Sequence, residues 1–243
     1  MDAHKKSELV VGQIQNSVFL TDSAAQSGKQ VKDFSQISLL SSQKFIMPKT
    51  IVPGMFLYED GLIYPEVISG NRITSVVGFV KKSKGIAVCL HSRKLPWSSD
   101  LLNVEIDDSV SGREATRYII AEALRQNKKA EAVQWCHEYA ENGIPAGSAF
   151  LGALQELKLI QRNLYRVNEA FGLLKKRKMR SWCWSSIPHQ SQGAWMYYFD
   201  DACRRLNNRS WDSAWNSLIK DGFYRWNRKT LNLLVWPMLA FEL

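Results

Sequence analysis

From position 48 onward the chain falls into short apolar runs separated by turn residues, and the period of each run sets the element it predicts. The runs at 55–58, 62–64, 73–80 and 85–90 are β-like, and Glu59-Asp60-Gly61, Ser69-Gly70-Asn71 and the lysine-rich stretch 81–85 punctuate them. They predict antiparallel hairpins. A change of period follows. Ser111 with Glu114 forms a capping-box pattern ahead of Ile119, Ile120, Ala123 and Leu124, which predicts a helix over 113–126. A second helix carries Val133, Cys136, His137 and Ala140 on one face and stops at Asn142-Gly143. A third is expected to begin near Phe150, with Leu151, Leu154, Leu157, Ile160 and Leu164 in one stripe that continues to Val167 and Phe171.

The late part returns to strands. Ser181-Trp182-Cys183-Trp184-Ser185-Ser186 and the run 193–199 read as two strands joined by a polar loop, 187–192, that contains Pro188. Trp182 and Trp184 then share a face. In the second run both alternating sets are apolar, so that strand should be central and covered on both sides. A last run, 233–241, is expected as one strand in which Pro237 restricts the position to an edge or a bulge. Trp182, Trp184 and Trp195 should meet this last strand in the core. Early hairpins, central helices and a late antiparallel sheet define an α+β class.

Composition adds organisation. The chain has 243 residues, of which 45% are hydrophobic and 23% charged, enough for one main domain at 47–243. Residues 1–46 are rich in Ser, Gln and Lys, and read as an N-terminal extension, either a flexible arm or a segment that orders on a partner. The net charge of +9 is regional, because twelve Lys and Arg but only four Asp and Glu lie between Lys175 and Lys229. Cys89, Cys136, Cys183 and Cys203 are widely spaced, so free and mostly buried thiols are expected. No window approaches eighteen uninterrupted apolar residues, so no membrane span is expected.

Candidate chemistry narrows the function. Ser185 and Ser186 lack a nucleophile-elbow context and read as turn and backbone caps. The Cys/His neighbours Cys89/His91, Cys136/His137 and Cys183/His189 lack the paired spacing of a metal knuckle, so neither a metal nor a cofactor is expected. The basic run 175–180, with Arg204, Arg205, Arg209, Arg225, Arg228 and Lys229, is interleaved with Trp211, Trp215, Tyr224 and Trp226. Such a surface suits a protein or glycan ligand, an anionic partner, or single-stranded nucleic acid, whose phosphates meet cations while its bases stack on aromatics. The ligand-binding set is read as His189, Gln190, Gln192, Arg209, Trp211, Tyr224, Trp226 and Arg228. A competing reading makes Trp211, Trp215 and Leu218 a short amphipathic helix that closes the core. An enzyme using Cys183 or His189 is the remaining alternative.

The ordered pieces carry a resemblance. They are Tyr58-Glu59-Asp60-Gly61, Val77-Gly78-Phe79-Val80, Gly85-Ile86-Ala87-Val88, Gly112 with Thr116, and Cys136-His137-Glu138-Tyr139. Phe150-Leu151-Gly152-Ala153-Leu154 follows, then Asn163, Val167-Asn168, Trp182-Cys183-Trp184-Ser185-Ser186, Ala194-Trp195 and Val235-Trp236-Pro237. This series resembles the bacterial C-type-lectin-fold domains at the C-termini of collagen-like adhesins, which are related to the variable proteins of diversity-generating retroelements. Trp236 stands where the family usually has Arg before the last Pro. The resemblance implies a C-type-lectin-like fold over about 50–243 and a non-enzymatic, loop-built recognition surface. Gly12, Gln13, Gln15 and Asn16 interrupt the apolar start, so no signal-peptide core is read there. The expected setting is the cytoplasm, a particle such as a phage virion, or the exterior by a non-classical route.

Overall fold

The computed structural model describes Pro48, residues 50–200 and residues 223–243, and of 223–225 the backbone alone. The N-terminal extension, Cys203, Arg209 and the 211–218 segment lie outside the described residues. Among the described residues there are four α-helices and two β-sheets, an α+β protein.

The early hairpins form as the turn residues dictate. Strands β1 (Phe56–Tyr58), β2 (Ile63–Tyr64), β3 (Ile73–Lys81) and β4 (Lys84–Cys89) pair antiparallel in turn. A short strand that the pattern did not announce, β5 (Arg93–Leu95), follows them. Helix α1 (Gly112–Arg125) starts at the expected cap: Ser111 Oγ accepts from the Glu114 amide at 3.3 Å, and Glu114 Oε2 accepts from the Ser111 amide at 3.3 Å. Helix α2 (Glu131–Glu138) is shorter than its stripe implied. Ala140 lies beyond its end and is exposed, and the chain turns at Asn142 and Gly143, both at positive φ.

The expected third helix is three elements. Phe150–Leu151 is a strand, β6, because its backbone pairs with the end of the chain, Pro237 opposite Leu151 and Met238 opposite Phe150. Helix α3 (Leu154–Arg162) begins only where the Glu156 carboxylate accepts from the Ala153 amide at 2.8 Å. The helix ends at Asn163, whose backbone is non-helical (φ −114°, ψ 9°), and α4 (Leu164–Leu173) follows it. The stripe Leu154, Leu157, Ile160, Leu164, Val167 and Phe171 is buried throughout. The apolar period was right; helical bonding could not include Phe150 and Leu151, whose main chain is engaged in a sheet.

Strand β7 (Ser181–His189) and strand β8 (Gly193–Phe199) form the aromatic hairpin. The connection is therefore only 190–192, and Ile187 and Pro188 are buried strand residues rather than loop. Strand β9 (Phe223–Arg228) pairs on the other side of β8, so β8 has neighbours on both edges as expected. The final run is not one strand. Leu233–Val235 is β10, beside β5 and parallel to β7; Pro237–Glu242 is β11, between β4 and β6 in the other sheet. Pro237 is the first residue of β11, a place where its missing donor costs no ladder bond. The expected late antiparallel sheet is thus mixed, in the order β5-β10-β7-β8-β9, and the early sheet runs β2-β1-β3-β4-β11-β6.

Both faces of the late sheet are covered. One presents Cys183, Tyr197, Phe199 and Leu234 to α3, α4 and the early sheet; the other presents Trp184, Ala194, Met196 and Val235 to α1, α2 and Trp97. Trp195 and Trp184 consequently do not meet. Trp184 opposes Met196 in the register, which puts Trp195 on the opposite face, where it is only half-buried. Trp182 is also half-buried, its ring 5.1 Å from that of Tyr198. The fully buried tryptophans among the described residues are Trp97, Trp184 and Trp236, and the indole donors of Trp97 and Trp184 reach the carbonyls of Ser185 (2.9 Å) and Leu95 (3.1 Å). Ser185 and Ser186 sit inside β7, fully buried, and Ser185 donates to the Trp195 carbonyl at 2.9 Å, so they are strand residues and not turn caps.

Candidate functional site

The β7–β8 hairpin ends in a three-residue tip, Gln190, Ser191 and Gln192, all exposed, with Gln190 at φ 54°. Just below the tip His189 pairs with Gly193, and Gly193 pairs with Arg228 across the sheet. Register places Trp195 opposite Trp226 on the same face. Three rings gather there. His189 lies 4.8 Å from Trp195 at 61° and 5.2 Å from Trp226 at 28°, close to a stack. Trp226 is 52% exposed, which makes it the one large aromatic of this sheet offered to solvent among the described residues. Glycine at 193 is what lets the shelf close, since a Cβ there would stand 2.7 Å from the His189 carbonyl and 3.2 Å from the Trp226 ring.

Beneath the tip is Lys229, which the sequence placed with the basic surface groups and the structure buries completely. Its ammonium donates to three carbonyls, Leu102 at 2.6 Å, Ser191 at 3.1 Å and Gln190 at 3.3 Å. An ammonium has three protons, so this set accounts for all of them. The charge also lies 4.9 Å over the Trp97 ring, a favourable cation–π distance. Main-chain bonds complete the clamp: the Lys229 amide donates to Gln192 at 3.0 Å, and the amides of Trp97 and Ser98 donate to the Lys229 carbonyl. Burial lowers the Lys229 pKa to about 8, and the charge of Lys128 pushes the same way.

Of the eight sequence-derived binding residues, the structure brings together His189, Gln190, Gln192, Trp226 and Arg228 at one end of the late sheet. Tyr224 is placed by its backbone, opposite Tyr197. Arg209 and Trp211 lie outside the described residues. Sequence reasoning missed Trp195 as part of the shelf and Lys229 as its support. No local signal marked that lysine, because Arg225 and Arg228 beside it read as a solvated basic stretch.

Two other readings meet the structure here. Cys183 and His189 are on one strand, six residues apart, which at about 3.3 Å per residue separates them by about 20 Å. The Cys183 thiol is buried in the core, and desolvation raises its pKa, so this pair does not form a nucleophile and base. Cys89 and Cys136 are likewise buried free thiols raised by burial. Among the described residues no group of three His, Cys, Asp or Glu is placed to hold a metal ion, and no helix is long and apolar enough to cross a membrane.

No protein-family model matches the chain, and no curated protein matches it. In fold it is similar to a fimbrial protein from Bacteroides ovatus ATCC 8483, with a TM-score of 0.59 at 11% sequence identity. The likeness covers 79% of this chain and 49% of the fimbrial protein, so the chain matches about half the length of that neighbour. At this identity the likeness is one of fold.

Proposed function

We propose that the chain is a non-enzymatic recognition protein that binds a protein or glycan ligand at the β7–β8 tip and the adjoining end of β9. The observation that carries this reading is Trp226 of β9, half-exposed and stacked on His189 of the neighbouring β7–β8 hairpin, whose tip is clamped from below by Lys229. A large exposed aromatic on rigid backbone contributes binding area with little ordering cost. Gln190, Gln192 and Arg228 supply donors and acceptors around it.

The scaffold is read as C-type-lectin-like, of the kind found in collagen-like adhesins and retroelement-diversified variable proteins. That reading rests on the ordered residues shared with the family. The clamp is in keeping with a diversified surface, because it grips carbonyls and leaves the exposed side chains of 190–192 able to change without loss of the backbone. A fold shared with a fimbrial protein is in keeping with an adhesive role.

A single-stranded nucleic-acid ligand is the rival, and the burial of Lys229 removes one of the cations it needed. The test is to titrate the full chain against an oligosaccharide panel and a single-stranded oligonucleotide at about 50 and 200 mM salt. Glycan binding that changes little with salt and is lost in Trp226→Ala supports the proposal. Binding of the oligonucleotide alone, falling steeply with salt, overturns it.

A further inference from the structure

Away from the tip, a groove of about 590 Å³ opens between the lower end of the early sheet and the N-termini of α1 and α3. Its size is that of a small-molecule site. The floor is apolar: Phe79, Ile86 and Ala240 share one face of β3, β4 and β11, and Phe150 of β6 closes it. Phe79 is half-buried and Ala240 exposed, so among the described residues the floor is incompletely covered.

The rim has the opposite character. Lys81, Lys82 and Lys84 from the β3–β4 hairpin, together with Arg113 from the first turn of α1, surround the apolar floor, and all four are exposed. Two acids balance them in part. Glu242 pairs with Lys84 at 3.4 Å, which leaves Lys81, Lys82 and Arg113 as the cations without that neutralisation. Glu156 lies at the base, where its carboxylate accepts from the Gly112 amide at 3.3 Å and the Ala153 amide at 2.8 Å. It is thus directed at the two helix starts, which favour negative charge.

We infer that this groove is a second binding site, for a free amphipathic carboxylate whose apolar body lies on Phe79, Ile86 and Ala240 and whose charge meets Lys81, Lys82 and Arg113. An apolar floor alone would accept any hydrophobic molecule. The cations at the mouth favour one with an anionic end, because charge-assisted hydrogen bonds are stronger than neutral ones. The groove is independent of the hairpin tip, so its ligand and that of the tip are separate.

The test uses the full chain and calorimetric titration with octanoate and, as its uncharged match, 1-octanol. Octanoate should bind about tenfold more tightly than octanol, and Arg113→Gln combined with Lys81→Gln should remove that difference. Ala240→Trp, at an exposed strand position, should fill the floor and abolish binding of both. Flotation with vesicles of phosphatidylcholine, with and without phosphatidylglycerol, separates a soluble ligand from a membrane surface. Equal binding of octanol and octanoate overturns the charged mouth. Unchanged octanoate binding in Ala240→Trp overturns the location, and binding to phosphatidylglycerol vesicles without binding to octanoate overturns the soluble ligand.

Discussion

The imidazole of His189 lies against the indole of Trp226 with ring centroids 5.2 Å apart and planes 28° apart. One ring ends β7 and the other belongs to β9, so the contact spans β8. On the proposed reading, this half-exposed indole is the platform for the ligand.

Trp226→Ala should therefore lower affinity for the ligand by more than about tenfold while changing unfolding free energy by less than about 1 kcal/mol. His189→Ala should weaken binding less, since it removes the support and not the platform. Chemical denaturation beside binding titrations checks both. A large stability loss in Trp226→Ala with unchanged binding would make the shelf structural.

Lys229→Met should cost about 1–3 kcal/mol, because the carbonyls of Leu102, Gln190 and Ser191 lose their donor inside the protein. Backbone amide exchange at 190–192 should rise in the same variant. Protection equal to that of the parent would show that the main-chain bonds hold the tip unaided.

The pH dependence follows from the same residue. Burial lowers its pKa from 10.5 to about 8, so between these values the unfolded chain holds more protons than the native one. This group's contribution to stability then rises with pH across about 8 to 10.5, and its desolvation penalty is fully present below pH 8. The difference between the parent and Lys229→Met, measured by denaturation from about pH 7 to 11, isolates it from other titrations. A difference that does not vary across that window contradicts the assignment.

A Cβ at Gly85 would stand 2.2 Å from Cζ of Phe241, its partner across β4 and β11. Gly85→Ala should destabilise by about 1–3 kcal/mol. Phe241→Ala in the same chain should recover part of the loss, with a coupling energy of about 0.5–3 kcal/mol in the double-mutant cycle. Additive losses would mean that the two residues do not share this space.

At the start of α1, Ser111→Ala should cost about 1 kcal/mol in thermal or chemical unfolding. Glu114→Ala in the Ser111→Ala background should add a further loss, since the amide of residue 111, which alanine keeps, still donates to the Glu114 carboxylate.

Local chemistry determined much of the fold. Turn residues fixed the early hairpins, Ser111 and Glu114 fixed the start of α1, and two-sided apolar alternation in 193–199 marked β8 as a strand between others. His189, Gln190, Gln192, Trp226 and Arg228 were legible as a surface because polar and aromatic residues crowd a hairpin end. Tertiary structure decided what depends on partners distant in sequence. Phe150 and Leu151 fit a helical stripe, yet their backbone pairs with residues 237 and 238. The run 233–241 was divided between two sheets at Trp236, a choice that hydrophobicity cannot express because every residue near the crossing is apolar. Lys229 was drawn inward by carbonyls at 102, 190 and 191, and a side chain's own sequence neighbourhood carries no record of acceptors that only the folded chain brings together.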